Sequence, residues 1–242
     1  MDIEKLCLTL NEMVPDGVFT AAGAEFAMPL TACERASLGD VNANRISEFA
    51  TGRAYAKRAL AKLGFGSIEL PIGPDRAPIW PSCVVGSITH VRRGDCMYAA
   101  AAVTRIDRIS GLGIDFEMEH SLDPGLWSYI LTPRELERVL ALPVKMRRAE
   151  AQYLWCAKEA TAKTSNRPFD PSQLQVERNP RDGTFVSYLI DDNRECLLPG
   201  LFGSTIRFDK LFIATAVLYE KQIKNHTAMG GVRPSDYQVG AY

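Results

Sequence analysis

Histidine is scarce in this chain of 242 residues, and its cysteines are unpaired in sequence: three histidines stand far apart, and no two of the six cysteines form a Cys-x-x-Cys pair. That scarcity excludes a zinc site of the usual Cys/His spacing. Cys7, Cys33, Cys83, Cys96, Cys156 and Cys196 mostly have apolar neighbours, which predicts buried free thiols rather than disulfides. No apolar run approaches the roughly 18 residues that suggest a membrane helix. The opening Met1-Asp-Ile-Glu-Lys-Leu6 has no basic-then-apolar leader pattern, so a cytoplasmic protein without a membrane span is expected. Charge of either sign is also in short supply in the balance: a formal net charge of −1 argues against a protein that coats nucleic acid, while leaving room for a local basic pocket. With 46% hydrophobic and 24% charged residues, the chain can bury a full core as one large domain or two small ones.

What is present concentrates in two segments. Gly113-Ile-Asp115-Phe-Glu117 alternates as a strand does, so Asp115 and Glu117 share a face. Trp155-Cys-Ala-Lys158-Glu159-Ala-Thr-Ala-Lys163 reads as helix, and its spacing puts Glu159 and Lys163 one turn apart on one side. Three carboxylates that converge beside a lysine suit a hard divalent cation and a phosphate. A solvated strand end and an ordinary surface Glu–Lys pair remain the plainer account of either segment alone.

The chain also echoes itself at a constant offset of 101 residues: Leu30-Thr31-x-x-Glu34 returns as Leu131-Thr132-x-x-Glu135, and Ala56–Lys62 returns as Ala157–Lys163. Asp95–Val103 resembles Asp209–Val217 at a longer offset, which implies an insertion in the second half. These echoes predict two similar α/β lobes, about 1–110 and 111–242, with a ligand cleft at their contact. In the first lobe a helix is expected over 42–63, closed by Gly64. A loop stiffened by Pro71, Pro74, Pro78 and Pro81 follows, then strands near 83–89, 96–104 and 110–117. In the second lobe Thr132 caps a helix with Pro133 at its first position and Glu135 completing a capping box. A long helix covers about 145–164. Segments 184–190, 195–198, 204–208 and 211–219 form an antiparallel meander, because their connections are too short for crossovers. Residues 222–242 read as a loose tail.

The first lobe lacks the acids of the second, and its equivalent helix is basic. Arg58 stands where the second lobe has Glu159, and Arg45 and Arg53 lie on one side of the helix, within about 80° of each other. Guanidinium forks suit phosphate oxygens, although a solvated basic face accounts for the helix equally well. Asp75-Arg76-Ala-Pro78-Ile-Trp80-Pro81 sets a guanidinium and an aromatic on a stiff loop. Arg76 could reach a phosphate or a base there, with Trp80 read as core. Gly86-Ser87-Ile88-Thr89-His90 ends a strand with His90 emerging at the sheet rim, where an imidazole can bind a phosphate.

Taken in order, these residues resemble the 4′-phosphopantetheinyl transferases of the surfactin-synthetase type, and within them the siderophore-associated branch typified by the enterobactin-synthase enzyme. The match runs from about Arg45 to Lys163, with thinner strand similarity to about 219. It rests on Gly52-Arg53, Pro78-Ile-Trp80-Pro81, Gly86–His90, Gly113–Glu117 and Trp155–Lys163. Thr89 and Val91 depart from the common pattern, where Ser and a small polar residue are frequent. The resemblance implies an α/β (α+β) fold of two pseudo-twofold-related lobes, each a helix packed on a mainly antiparallel sheet, with coenzyme A in the groove between them. It implies Mg²⁺ (or Mn²⁺ in its place) held by Asp115, Glu117 and Glu159, with Lys163 on the pyrophosphate. Arg45, Arg53 and His90 would hold phosphates, the 3′-phosphate included, Arg76 would lie beside the adenine and its ribose phosphate, and Ser87 would also contact coenzyme A. The implied reaction moves the phosphopantetheine arm to a serine of an acyl or peptidyl carrier domain in siderophore, nonribosomal peptide or polyketide synthesis. Glu159 is the candidate base, and Lys158, turned about 100° away on the helix, ranks second as proton shuttle or support. Residues 118–135, with Leu122, Leu126, Trp127, Tyr129 and Ile130, are the candidate carrier-docking segment, and a monomer suffices. A Mg²⁺-dependent phosphodiesterase or nuclease and a non-catalytic coenzyme A or carrier binder are the alternatives.

Overall fold

The computed structural model describes residues 1–25, 28–74, 76–107, 109–165, 170–191 and 194–219. The expected tail, 222–242, falls outside them. Two antiparallel sheets carry the fold. The first has the order β1 (Phe19–Ala24), β3 (Cys96–Arg105), β2 (Val84–Arg93). The second runs β4 (Gly111–Met118), β8 (Leu211–Leu218), β7 (Arg194–Phe208), β6 (Thr184–Asp191), β5 (Leu174–Arg178). The sequence correspondence is visible in space: β3 lies between β1 and β2 as β8 lies between β4 and β7. The β5–β6 hairpin occupies the chain position that the proline-rich loop holds in the first half, and it is the expected insertion.

Both central strands are apolar on both faces, so they are buried on both faces. Ala99, Ala101 and Val103 of β3 pack under Tyr55, Ala56, Ala59 and Leu60 of α3 (Ala43–Lys62). Ala214 and Ala216 of β8 pack under Leu154, Ala157 and Ala160 of α6 (Val144–Ser165). The opposite faces meet in one shared core, where Ala100 and Ala102 join Ile114, Phe116 and Ile213. Leu6 and Leu10 of α1 (Ile3–Glu12) enter that same core. Small residues on the helix-facing side let each helix lie close to its sheet.

The echo at offset 101 is a buried structural device. Thr31 and Thr132 cap α2 (Ala32–Leu38) and α5 (Pro133–Ala141), each with a complete capping box. The box glutamates, Glu34 and Glu135, are buried and ion-paired to Lys57 at 2.8 Å and to Lys158 at 2.7 Å. Each carboxylate also accepts a peptide N–H from beyond its helix, Leu70 at 2.9 Å and Val176 at 2.7 Å. Full pairing is what makes such buried charges tolerable.

Several expectations change. Among the described cysteines only Cys156 is buried; Cys33, Cys83 and Cys96 are exposed and Cys7 is intermediate, all five as free thiols. Apolar neighbours in sequence misled here, because alternation along a strand or helix turns one of two neighbours outward. The α1 helix, β1 and β5 were not anticipated, and β7 is one strand rather than the two pieces expected around Pro199-Gly200. No helix among the described residues is long and apolar enough to cross a membrane.

Candidate active site

The acidic end of the site depends on how closely β4 and α6 approach. A Cβ added at Gly113 would overlap the Ala160 carbonyl, and one at Gly111 the Thr164 carbonyl. These glycines therefore let strand backbone touch helix backbone, and two residues further on Asp115 comes within reach of Lys163. Lys163 Nζ donates to Asp115 Oδ1 at 2.7 Å and to the Ile114 carbonyl at 3.1 Å. From the other sheet, Thr89 Oγ1 donates to the same Oδ1 at 3.3 Å and accepts the Phe116 N–H at 3.0 Å. Ser87 Oγ accepts the Ile114 N–H at 3.1 Å. Side chains of β2 thus bind the backbone of β4 and join the two sheets. The threonine at 89 keeps the hydroxyl that this junction uses.

Asp115 Oδ2 is buried with no hydrogen-bond partner. A buried carboxylate oxygen left in that state costs about 1–3 kcal/mol, and a cation would satisfy it. Glu117 is held by Trp155 Nε1 at 2.9 Å and Ser121 Oγ at 2.8 Å. Ser121 is held in turn by Gln152 Nε2 at 3.0 Å. Burial, and then the Asp115 charge, raise the Glu117 pKa to about 7. Burial and Asp115 also raise that of Glu159, with Lys163 opposing. Burial works against the charged form of Lys163, but Asp115 outweighs it and the lysine pKa is raised.

The three acids therefore feel one another, yet among the described residues no group of three or more His, Cys, Asp or Glu side chains closes into a metal-ligand set. Lys163 neutralises one oxygen of Asp115 while Trp155 and Ser121 occupy both oxygens of Glu117. The donor set still fits a hard divalent ion, because it consists of mutually repelling carboxylate oxygens, one of them buried and unpartnered.

Next to this cluster lies a cleft of about 230 Å³. Its walls include Arg45, Glu48, Phe49 and Arg53 of α3, Arg76 of the proline-rich loop, Ser87 and His90 of β2, and Lys163 of α6. Arg45, Arg53, Arg76, Ser87, His90 and Lys163, the six residues expected to bind the ligand, all line it. Gly52 and Gly86 explain the depth: a Cβ at either would press on Ile88 or Trp80. Arg53 is buried, with its Nε donating to the Leu70 carbonyl at 2.5 Å and its guanidinium 4.1 Å from the Phe49 ring centroid. Burial lowers its pKa to about 10, still well above neutrality. His90 is exposed at the rim, though enough of its ring is desolvated to lower its pKa; Glu48 opposes this, and Lys163 and Arg45 add to it. Arg76 has a positive φ of 67° at the tip of a turn closed by the Ile72–Pro78 bridge. Arg58 does not line the cleft and lies over Tyr55 instead.

Lys158 leaves the catalytic group. Its Nζ is fully committed, to Glu135 at 2.7 Å and to the carbonyls of Ile130 at 2.8 Å and Pro171 at 2.7 Å, and the residue is completely buried. The roughly 100° of helix that separates it from Glu159 points it toward the start of α5 and the Ile130 and Pro171 carbonyls. Sequence reasoning missed Glu48 on the cleft wall and the Ser121–Gln152 support of Glu117. Nothing marks Glu48 beyond its place three residues after Arg45, which it contacts at 3.4 Å.

The chain is similar to known proteins over most of its length. The family model described as "4'-phosphopantetheinyl transferase N-terminal domain" matches residues 34–104, and that of the "4'-phosphopantetheinyl transferase superfamily" matches residues 111–208. The chain is 33% identical over 186 residues to 4′-phosphopantetheinyl transferase Svp of Streptomyces mobaraensis, covering 73% of this chain and 72% of that protein. It is 33% identical to 4′-phosphopantetheinyl transferase Npt of Nocardia iowensis, covering 64% of this chain and 68% of that one. Enterobactin synthase component D of Escherichia coli (strain K12) is 36% identical over 43% of this chain and 47% of its own. The chain belongs to the 4′-phosphopantetheinyl transferases, enzymes that modify carrier proteins with coenzyme A as substrate. The phosphodiesterase alternative falls away with that membership.

Proposed function

We propose that this chain transfers the 4′-phosphopantetheine arm of coenzyme A to a serine hydroxyl of an apo carrier domain, with Mg²⁺, in nonribosomal peptide, polyketide or siderophore synthesis. One observation carries the reading: a cationic cleft built largely by residues before 110 is closed by Lys163, whose partner Asp115 keeps a buried carboxylate oxygen free. In this reading 1–110 and 111–242 act as two lobes of a monomer working in the cytoplasm. Arg45, Arg53 and His90 bind phosphates, the 3′-phosphate included, and Arg76 reaches the adenine side. Lys163, oriented by Asp115, binds the pyrophosphate. Asp115, Glu117 and Glu159 would hold Mg²⁺, or Mn²⁺ in its place, which supplies charge stabilisation to the leaving oxygen. Glu159, its pKa raised by burial and by Asp115, takes the serine proton as the hydroxyl oxygen bonds to phosphorus. The pyrophosphate bond breaks, and adenosine 3′,5′-bisphosphate leaves. The test is incubation with coenzyme A, Mg²⁺ and an apo carrier protein: mass spectrometry should show a gain of one phosphopantetheine, and an unmodified carrier would refute the reading.

Carrier docking on 118–135 is retained with different anchors. Leu122 and Trp127 are 7% exposed and Ile130 is partly buried, so they pack the second half rather than meet a partner. Leu126 and Tyr129 are 49% and 73% exposed. Substituting both with Ala is expected to raise KM for carrier about tenfold and leave coenzyme A affinity unchanged. Trp127→Ala should instead cost about 3–5 kcal/mol of stability. Unchanged carrier kinetics in the double variant would move the docking surface elsewhere.

Arg76 offers a separate check on the cleft. A non-glycine residue in the left-handed region costs about 1–2 kcal/mol, and this side chain is exposed, so it has little packing to lose. Arg76→Gly is expected to leave the melting temperature level or slightly higher and to weaken coenzyme A binding about tenfold, the worth of one charge-assisted hydrogen bond. Calorimetric titration reads the affinity; an unaltered Kd would take Arg76 out of the ligand contact.

A further inference from the structure

The α2 helix lies outside the cleft, yet it holds the peptide that aims one of the cleft's guanidiniums. Glu34 Oε1 accepts the Leu70 N–H at 2.9 Å, and the carbonyl of the same residue accepts Arg53 Nε at 2.5 Å. Glu34 is completely buried, anchored by its own capping box and by Lys57. One turn along α2, Ser37 Oγ accepts the Ile72 N–H at 3.1 Å, so the segment leading to the Arg76 turn is gripped at a second point. Phe49 closes the opposite side of Arg53.

From this geometry we infer that Glu34 is a positioning residue for the coenzyme A cleft: it fixes the Leu70 peptide and through it the direction of the Arg53 guanidinium. The inference rests on the function proposed above. The second half supplies an internal control. Glu135 is the same device displaced by 101 residues: its carboxylate accepts the Val176 N–H at 2.7 Å, and that strand edge presents no arginine to the cleft. Burial opposes the charge on Glu34, but Lys57 and the Leu70 and Thr31 N–H groups win and lower its pKa. The carboxylate therefore stays ionised across the neutral range, and its charge in turn favours the protonated form of Arg53 against burial.

The test is calorimetric titration of coenzyme A into the full chain carrying Glu34→Gln, Arg53→Met, both together, or Glu135→Gln. Glu34→Gln should weaken binding about tenfold, as a misplaced binding group does. In the Arg53→Met background the same substitution should change Kd by less than about twofold, because contacts that act through one group are not additive. Glu135→Gln should lower the melting temperature comparably and leave coenzyme A affinity intact. If Glu34→Gln does not fold, Glu34→Asp serves, since the shorter side chain keeps its charge beside Lys57 and loses reach to the Leu70 N–H. Wild-type affinity in the Glu34 variants overturns the inference. So do losses that multiply with Arg53→Met, or an equal loss in Glu135→Gln, since either marks a general destabilisation. Absence of coenzyme A binding by the wild-type chain removes the proposed function itself, and the inference with it.

Discussion

Asp115→Ala is expected to lower phosphopantetheine transfer on the order of 10³-fold, the scale of losing a preorganised charge partner at a reacting phosphate, while the fold survives. The structure explains both halves of that result. Asp115 orients Lys163 and holds the free oxygen that the proposed Mg²⁺ needs, so its removal disables the lysine and the cation together. Yet its contribution to folding is small. Oδ2 has no partner, and the Asp115 charge pushes up the pKa of both Glu117 and Glu159, a repulsion that its loss relieves. Lys163 is 30% exposed in the pair, so water can take the place of the carboxylate. Thr89 still accepts the Phe116 N–H. Thermal melts should therefore agree with wild type within a few degrees, and mass spectrometry of the carrier should show almost no product. Turnover at the wild-type rate would take Asp115 out of the site.

Lys158→Ala should do the reverse: a large loss of stability with no direct loss of a ligand contact. Removing one member of a buried ion pair costs about 3–5 kcal/mol because the other charge stays buried and uncompensated. Here Glu135 would be left, and the Ile130 and Pro171 carbonyls would lose their donor. In a chain of this size that corresponds to a fall in melting temperature of about 10 °C or more. Replacing the pair together, Glu135→Leu with Lys158→Met, removes the uncompensated charge and should recover only part of the loss, because the Thr132 and Val176 N–H groups and the Ile130 and Pro171 carbonyls stay without their partners. Differential scanning calorimetry separates the cases. A stable Lys158→Ala variant with transfer abolished would restore this lysine to the chemistry and contradict its structural role.

Two neighbouring residues, Lys158 and Glu159, thus have different surroundings, and sequence could rank them but not say what each one meets. Helical spacing says that they diverge by about 100°; only the tertiary contact with Glu135 says what Lys158 meets. The offset of 101 residues was legible because capping boxes and Ala-rich helix faces are local patterns, and both capping boxes formed at the residues that encode them. Part of the cleft was legible for a related reason: Arg45 and Arg53 share one helix, so their spacing already puts them on one side, whereas Ser87 and His90, three apart on one strand, alternate to opposite faces and spacing alone does not bring them together. The α1 helix, β1 and β5 were not legible. Phe-Thr-Ala-Ala-Gly-Ala over 19–24 has little strand propensity, and β1 exists because β3 offers it a ladder from Phe19–Val103 to Ala24–Tyr98. Which side chains of the docking segment face outward was not legible for the same reason. Nothing local distinguishes Trp127, which packs inside, from Tyr129, which stands in solvent. Glu34 stands in the sequence only as half of an echo; its link to Arg53 passes through Leu70, which no pattern in either segment announces.

The account's central claim is that the acids of the second half and the cations of the first form one site. Titration of coenzyme A at zero and at saturating Mg²⁺ tests it most directly, because linkage requires two ligands of one site to change each other's affinity equally. The expected result is a Kd at least about tenfold lower with Mg²⁺ for the wild-type chain, and the same Kd with and without Mg²⁺ for Asp115→Ala. Coenzyme A binding that ignores Mg²⁺ in the wild-type chain would contradict the account.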